Sequence, residues 1–273
     1  MIKIFVTKFD GRKEDFQKQK IINTCIRAGA SEDISKKIAD EIEKIAYDGI
    51  TTKEIYENIK KLLEKYEKRL SSIYGLRESI STLDPLIFEV YVKRILENYN
   101  YVCEYNKIIS GACVEHQVDI IARSEKNELI LVECKRHENP HRFCGLNVCL
   151  QVQARLEDLK DGFQKGLNNY NITSAWIITN TKFSEHAKIY SSAKKIKLTG
   201  WRYPENESLE QLIERKKLYP ISILKTKKQI IHKMFNNGII LLKELEKERL
   251  REIGINESII NGLVKQKEEI IKK

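Results

Sequence analysis

No apolar run in these 273 residues is long enough to cross a membrane or to act as an export signal. The N-terminal MIKIFVTKF is short and interrupted by lysine, so a cytoplasmic protein is expected. A phosphate loop of the form GxxxxGK[ST] is also missing, which removes hydrolysis of the P-loop kind from the candidate functions. The six cysteines, Cys25, Cys103, Cys113, Cys134, Cys144 and Cys149, are scattered. Without an export signal they are expected as reduced thiols rather than as a disulfide framework. His137, His141, Cys144 and Cys149 sit close together in HENPHRFCGLNVC, but their spacing is that of neither a zinc ribbon nor a finger. No zinc is expected there.

What is present points to a globular protein of about two domains, with 41% hydrophobic residues. Lysine and arginine outnumber aspartate and glutamate by 49 to 39, a net charge of +10. That excess suits a polyanionic partner, and a lysine-rich solvated surface accounts for it equally well.

Residues 118–123 (VDIIAR) and 129–136 (LILVECKR) are apolar, β-branched runs on either side of a polar loop, residues 124–128. They read as a hairpin. A symmetric turn pairs residues whose numbers sum to 252, which sets Asp119 across from Glu133. Strand alternation then gives Glu133 and Lys135 one face, and Val132 and Cys134 the other. Two carboxylates so placed can hold Mg²⁺ against a phosphodiester, with water and substrate oxygens completing the shell. A neighbouring lysine can orient and deprotonate the attacking water. Ordinary strand carboxylates and a solvated edge lysine are the plain alternative. Against it, Glu133 follows four consecutive apolar residues, where an unpaired carboxylate is costly.

Upstream, Asp84-Pro85 opens a helix with an apolar stripe of Leu86, Phe88, Val92, Ile95 and Tyr99. Glu89 borders the stripe, as a fourth acid or as a solvated helix residue.

The segments FEVYVKRILENYNYVCEY, HQVDIIA and LVECKR, followed by AWIITNTKFSEHAKIYSSAKKIKLTGW, resemble the Mrr-type branch of the PD-(D/E)XK restriction endonuclease superfamily. The resemblance spans residues 83–222. It implies an α/β fold with a central mixed sheet flanked by helices, with Asp119, Glu133 and Lys135 as the active residues and Glu89 in support. Many Mrr-like members carry glutamine at the position of Glu133; glutamate is the superfamily's usual residue and the stronger metal ligand.

In the N-terminal part, residues 2–8 read as a strand and Phe9-Asp10-Gly11-Arg12 as a turn. Helices are expected over 16–28, over 31–47 and from Thr51, where TTKE forms a capping box. A helix N-terminus suits a phosphate. Lys8, Arg12 and Lys20 add charge if the fold gathers them. VTKFDGRKEDFQKQKI and YDGITTKEIYENI resemble the ATP-cone, a regulatory nucleotide-binding domain, over residues 1–82. The resemblance implies that Val6, Thr7 and Lys8 line the path of base, ribose and phosphate. Lys20 and Thr52 would contact phosphates, and Tyr56 takes a place where the family often has histidine. Phe9 stands where a basic residue is usual. With no P-loop, ATP or dATP is then a ligand and not a fuel.

Beyond residue 223 the chain becomes lysine-rich, and helices are expected over 226–235, 239–250 and 257–271. Their breaks at Asn236-Asn237-Gly238 and Ile253-Gly254-Ile255 resemble helix-hairpin-helix turns, which bind DNA phosphates. A dimerising helical tail fits as well. Together these features predict a nucleotide-regulated, Mg²⁺-dependent DNA endonuclease of the defence type, with Asp119, Glu133 and the Cys134 carbonyl as metal ligands. Cutting both strands of a duplex calls for a homodimer or larger assembly. Alternatives are a structure-selective repair or junction nuclease, and a nucleotide-sensing DNA-binding regulator with a silent nuclease fold.

Overall fold

A computed structural model describes residues 4–272. The chain forms two compact units, residues 4–76 with 258–272, and residues 77–257.

In the first unit β1 (Phe5–Thr7) and β2 (Lys13–Asp15) pair antiparallel, with Val6 opposite Glu14. Gly11 turns the hairpin at φ 81°, a conformation that glycine adopts without a Cβ clash. The expected strand over 2–8 is thus shorter, and its residues 2 and 3 lie outside the described ones. Helices α1 (Lys18–Arg27), α2 (Glu32–Ile45), α3 (Thr52–Tyr66) and α4 (Lys68–Tyr74) follow. Their apolar stripes meet in a core that includes Ile21, Cys25, Ile38, Ile42, Ile59, Leu63 and Leu70. Ser31 caps α2 and accepts the N–H of Ile34, and the capping box of Thr51 and Glu54 opens α3.

The second unit begins with α5 (Leu76–Ser81) and α6 (Pro85–Asn98), the latter with proline in its first turn. Then come β3 (Val102–Ser110), β4 (Glu115–Arg123), β5 (Leu129–Lys135), β6 (Phe143–Cys144), α7 (Leu146–Gln164), β7 (Ile172–Thr179), β8 (Lys182–Phe183), α8 (Glu185–Lys194) and β9 (Lys197–Thr199). The main sheet runs β3-β4-β5-β7-β9. Its first three strands are antiparallel neighbours, and β5, β7 and β9 are parallel. This is the expected mixed α/β sheet flanked by helices. The β4–β5 register is Ile120↔Val132 through Arg123↔Leu129, pairs that sum to 252. Leu131, Val152, Leu156 and Leu159 belong to one buried cluster between the sheet and α7. A Cβ on Gly162 would sit 2.7 Å from the carbonyl carbon of Gly111. Only glycine therefore lets α7 lie so close to the β3–β4 turn.

Three helices, α9 (Leu209–Arg215), α10 (Lys228–Asn236) and α11 (Lys247–Glu252), complete this unit. The expected helix over 239–250 does not form as one element. Ile239 to Leu242 are all buried, and the N–H groups of Ile221 and Leu242 donate to the carbonyls of Ile240 and Tyr219 at 2.9 and 2.7 Å. Leu241 bridges Pro220. Four consecutive apolar residues have no polar face to turn outward, so extended pairing inside the core suits them better than a surface helix. The last helix, α12 (Glu257–Ile271), rejoins the first unit and buries Ile260, Leu263 and Ile270. There Arg69 Nε donates to the Ile270 carbonyl at 3.3 Å. No helix among the described residues is long and apolar enough to cross a membrane.

Candidate active site and nucleotide site

Asp119 and Glu133 stand one step beyond the last pair of the β4–β5 ladder, Ile120↔Val132. Strand alternation puts them on the face of Ile121 and Leu131, which is the face covered by α7. Val118 is packed on this face too, so the usual alternation is lost between Val118 and Ile121. Opposite this point Asn106 takes φ 50° between the pairs Tyr105↔Ile120 and Lys107↔Val118. The sheet is irregular where Asp119 leaves it.

The Asp119 carboxylate accepts the N–H of Cys134 at 2.8 Å. Burial and the Glu133 charge push its pKa up to about 7; the Cys134 N–H and Arg155 oppose the rise, and Glu89 adds to it. Glu133 pairs with Arg155 of α7. Glu89 of α6 accepts from the Tyr105 hydroxyl at 3.3 Å. Its pKa is raised by burial, against the Tyr105 bond and with the Glu133 charge. The structure therefore brings three carboxylates into one electrostatic neighbourhood. Lys135 follows on the Glu133 face and is half-buried. The Cys134 side chain is buried, and its backbone N–H serves Asp119.

Immediately after Lys135 the chain is pinned. The Asn180 side chain accepts the N–H of His137 at 2.8 Å and donates to the His137 carbonyl at 2.8 Å and to Ser81 Oγ at 3.0 Å. Burial first, then Arg142, Lys135 and Arg136, hold the His137 pKa down. Cys144 and Cys149 are buried in the apolar cluster. Among the described residues no group of three or more His, Cys, Asp or Glu side chains is arranged to hold a metal ion. Asp119 and Glu133 do suit a hard divalent cation. They are oxygen donors, burial and then the Glu133 charge raise the Asp119 pKa, and such ions take one or two carboxylates with water completing the shell.

In the first unit Thr7 bridges Thr51 in parallel, and its N–H donates to the Ile50 carbonyl at 2.9 Å. The end of β1 thus lies beside the N-terminus of α3, where Thr52 is the first helical residue. Thr7 Oγ1 donates to Gly49 at 3.1 Å. Lys8 and Lys20 converge on Glu14, whose pKa they lower to about 2. Val6 is buried. Tyr56 stacks on Tyr74, with centroids 4.9 Å apart and planes at 19°. Phe9 is exposed, and Arg12 pairs with Asp10 rather than joining the two lysines.

Arg155, Tyr105 and Glu14 are the polar partners that the sequence alone did not single out. Arg155 has a faint signal, a lone cation between the buried positions Val152, Leu156 and Leu159 of α7. Glu14 has a clearer one, because the hairpin sets it across from Val6, between two lysines.

Comparison with known proteins fits this geometry. A family model described as restriction endonuclease, of the Mrr catalytic type, matches residues 80–201. The match places residues 80–201, rather than the whole chain, in that family. An ATP cone domain model matches residues 4–72, ahead of the restriction endonuclease domain. An uncharacterized protein of Archaeoglobus fulgidus is 37% identical over 182 residues, covering 65% of this chain and 98% of the relative. The crystal structure of AF1548, a protein of unknown function, superposes with a TM-score of 0.58 at 36% identity, over 68% of this chain and 98% of that one. The transcriptional repressor NrdR of Caldicellulosiruptor saccharolyticus is 35% identical over 91 residues, 29% of this chain and 60% of the repressor.

Proposed function

We propose that the protein is a divalent-metal-dependent DNA endonuclease controlled by a nucleotide at its ATP cone domain. The observation that carries this reading is Asp119, a carboxylate raised to about 7 by burial and by Glu133, with Lys135 two residues beyond Glu133. Such crowding of negative charge is relieved by a bound cation, and Mg²⁺ there would neutralise charge developing on the phosphate. Asp119 and Glu133 would hold that ion, with the Cys134 carbonyl as a further oxygen. Lys135 positions the attacking water; Glu89 supports the acidic cluster. In the cone, Val6, Thr7 and Lys8 line the nucleotide path, Lys20 and Thr52 take phosphates, and Tyr56 lies alongside. ATP or dATP acts as an effector. Similarity to a transcriptional repressor favours a regulatory use of this domain. Residues 1–82 form the sensor, 83–222 the nuclease and 223–273 the basic tail, and two copies cut the two strands of a duplex.

The test is plasmid nicking in Mg²⁺, with and without ATP or dATP. Lys135→Ala and Asp119→Asn are each expected to slow cutting by about 100-fold or more. Equal cutting by wild type and Lys135→Ala would sink the assignment. Cutting that ignores a nucleotide shown to bind would leave the cone without a regulatory role.

A further inference from the structure

Arg155 is the ion-pair partner of Glu133, and their side chains are only 25% and 15% exposed. Water is too scarce there to replace either partner cheaply, so the pair is a feature of the site rather than a surface accident. The helix that carries Arg155 is fixed. Asp158 of α7 accepts from the Cys113 N–H at 2.8 Å and meets His116 Nε2 at 2.7 Å. Gly162 packs against the β3–β4 turn. The movable part is the arginine side chain. A divalent ion on Glu133 repels the guanidinium and competes for the same oxygen. If Glu133 holds a divalent ion, a phosphate bound to that ion lies within reach of the released guanidinium, whose planar fork fits two of its oxygens.

We propose that Arg155 neutralises Glu133 in the metal-free protein and transfers to the substrate phosphate when Glu133 takes up a divalent ion. The transfer rests on the nuclease reading; the competition at Glu133 does not. The experiment uses the full chain as wild type, Arg155→Gln and Arg155→Lys, with folding checked by circular dichroism. Mn²⁺ binding is measured by titration calorimetry, and binding of a short DNA duplex is measured in Ca²⁺. Arg155→Gln is expected to bind Mn²⁺ about tenfold tighter and the duplex about tenfold more weakly, with Arg155→Lys between it and wild type in both assays. Unchanged or weaker Mn²⁺ binding by Arg155→Gln overturns the competition. Tighter Mn²⁺ binding with unchanged DNA affinity overturns the transfer. If Arg155→Gln does not fold, Arg155→Lys decides by the same two readouts. Wild type that binds Mn²⁺ yet never cuts DNA sinks the nuclease reading and leaves the Mn²⁺ comparison to judge the competition.

Discussion

At the scale of one residue, Asp119 shows burial and like charge acting together. Its pKa of about 7 lies well above that of a carboxylate in an unfolded chain, near 4. The folded protein therefore keeps a proton that the unfolded chain has released. This group favours folding fully below about pH 4, and the contribution is lost as pH rises through about 7. Asp119→Asn removes the penalty. In the absence of metal it is expected to be more stable than wild type at pH 8, by about 1–3 kcal/mol. At pH 4 the difference should nearly vanish, as read by urea denaturation. An equal difference at both pH values would show that the gain is unrelated to this proton. Asp119 and Glu133 were legible in the sequence because a two-residue period and a short loop leave little freedom of register. Arg155 was not, because its meeting with Glu133 depends on how a helix is laid over the sheet, and no local pattern encodes that.

At the scale of elements, α7 is the part whose placement sets the site, and Gly162 is where it is most exposed to change. Gly162→Ala forces a methyl into backbone atoms 2.7 Å away. Overpacking of this kind costs about 1–3 kcal/mol, and the helix must shift to relieve it. Thermal unfolding should show the loss, and Mn²⁺ affinity should change with it; a variant as stable as wild type would mean that the contact yields freely. The N-terminus of α3 at Thr51 was readable because capping chemistry is local. The segment from Ile239 to Leu242 was misread because a short, wholly apolar run suits a buried helix and a buried strand alike. Only its pairing with residues around Pro220 decides.

At the scale of the whole molecule, the first unit is closed by the last helix. Truncation after Glu257 removes the buried Ile260, Leu263 and Ile270. Burial of each such side chain contributes about 1.5–3 kcal/mol, so the truncated protein should unfold at a lower temperature and bind ATP less well. Calorimetry checks both, and unchanged ATP affinity would show that the cone holds its nucleotide site without α12. Composition marks the basic stretch after residue 223 because it reports where lysine accumulates; which unit each of its helices packs in, with the division at Glu257, is a tertiary matter that composition does not carry.

The return of α12 to the first unit also bears on synthesis. Residues 4–76 leave the ribosome early, yet their unit stays incomplete until the intervening unit and α12 have followed. At ordinary elongation rates that interval is roughly 10–40 s. Throughout it, the nascent chain carries a second unit that is being finished and a first that is not.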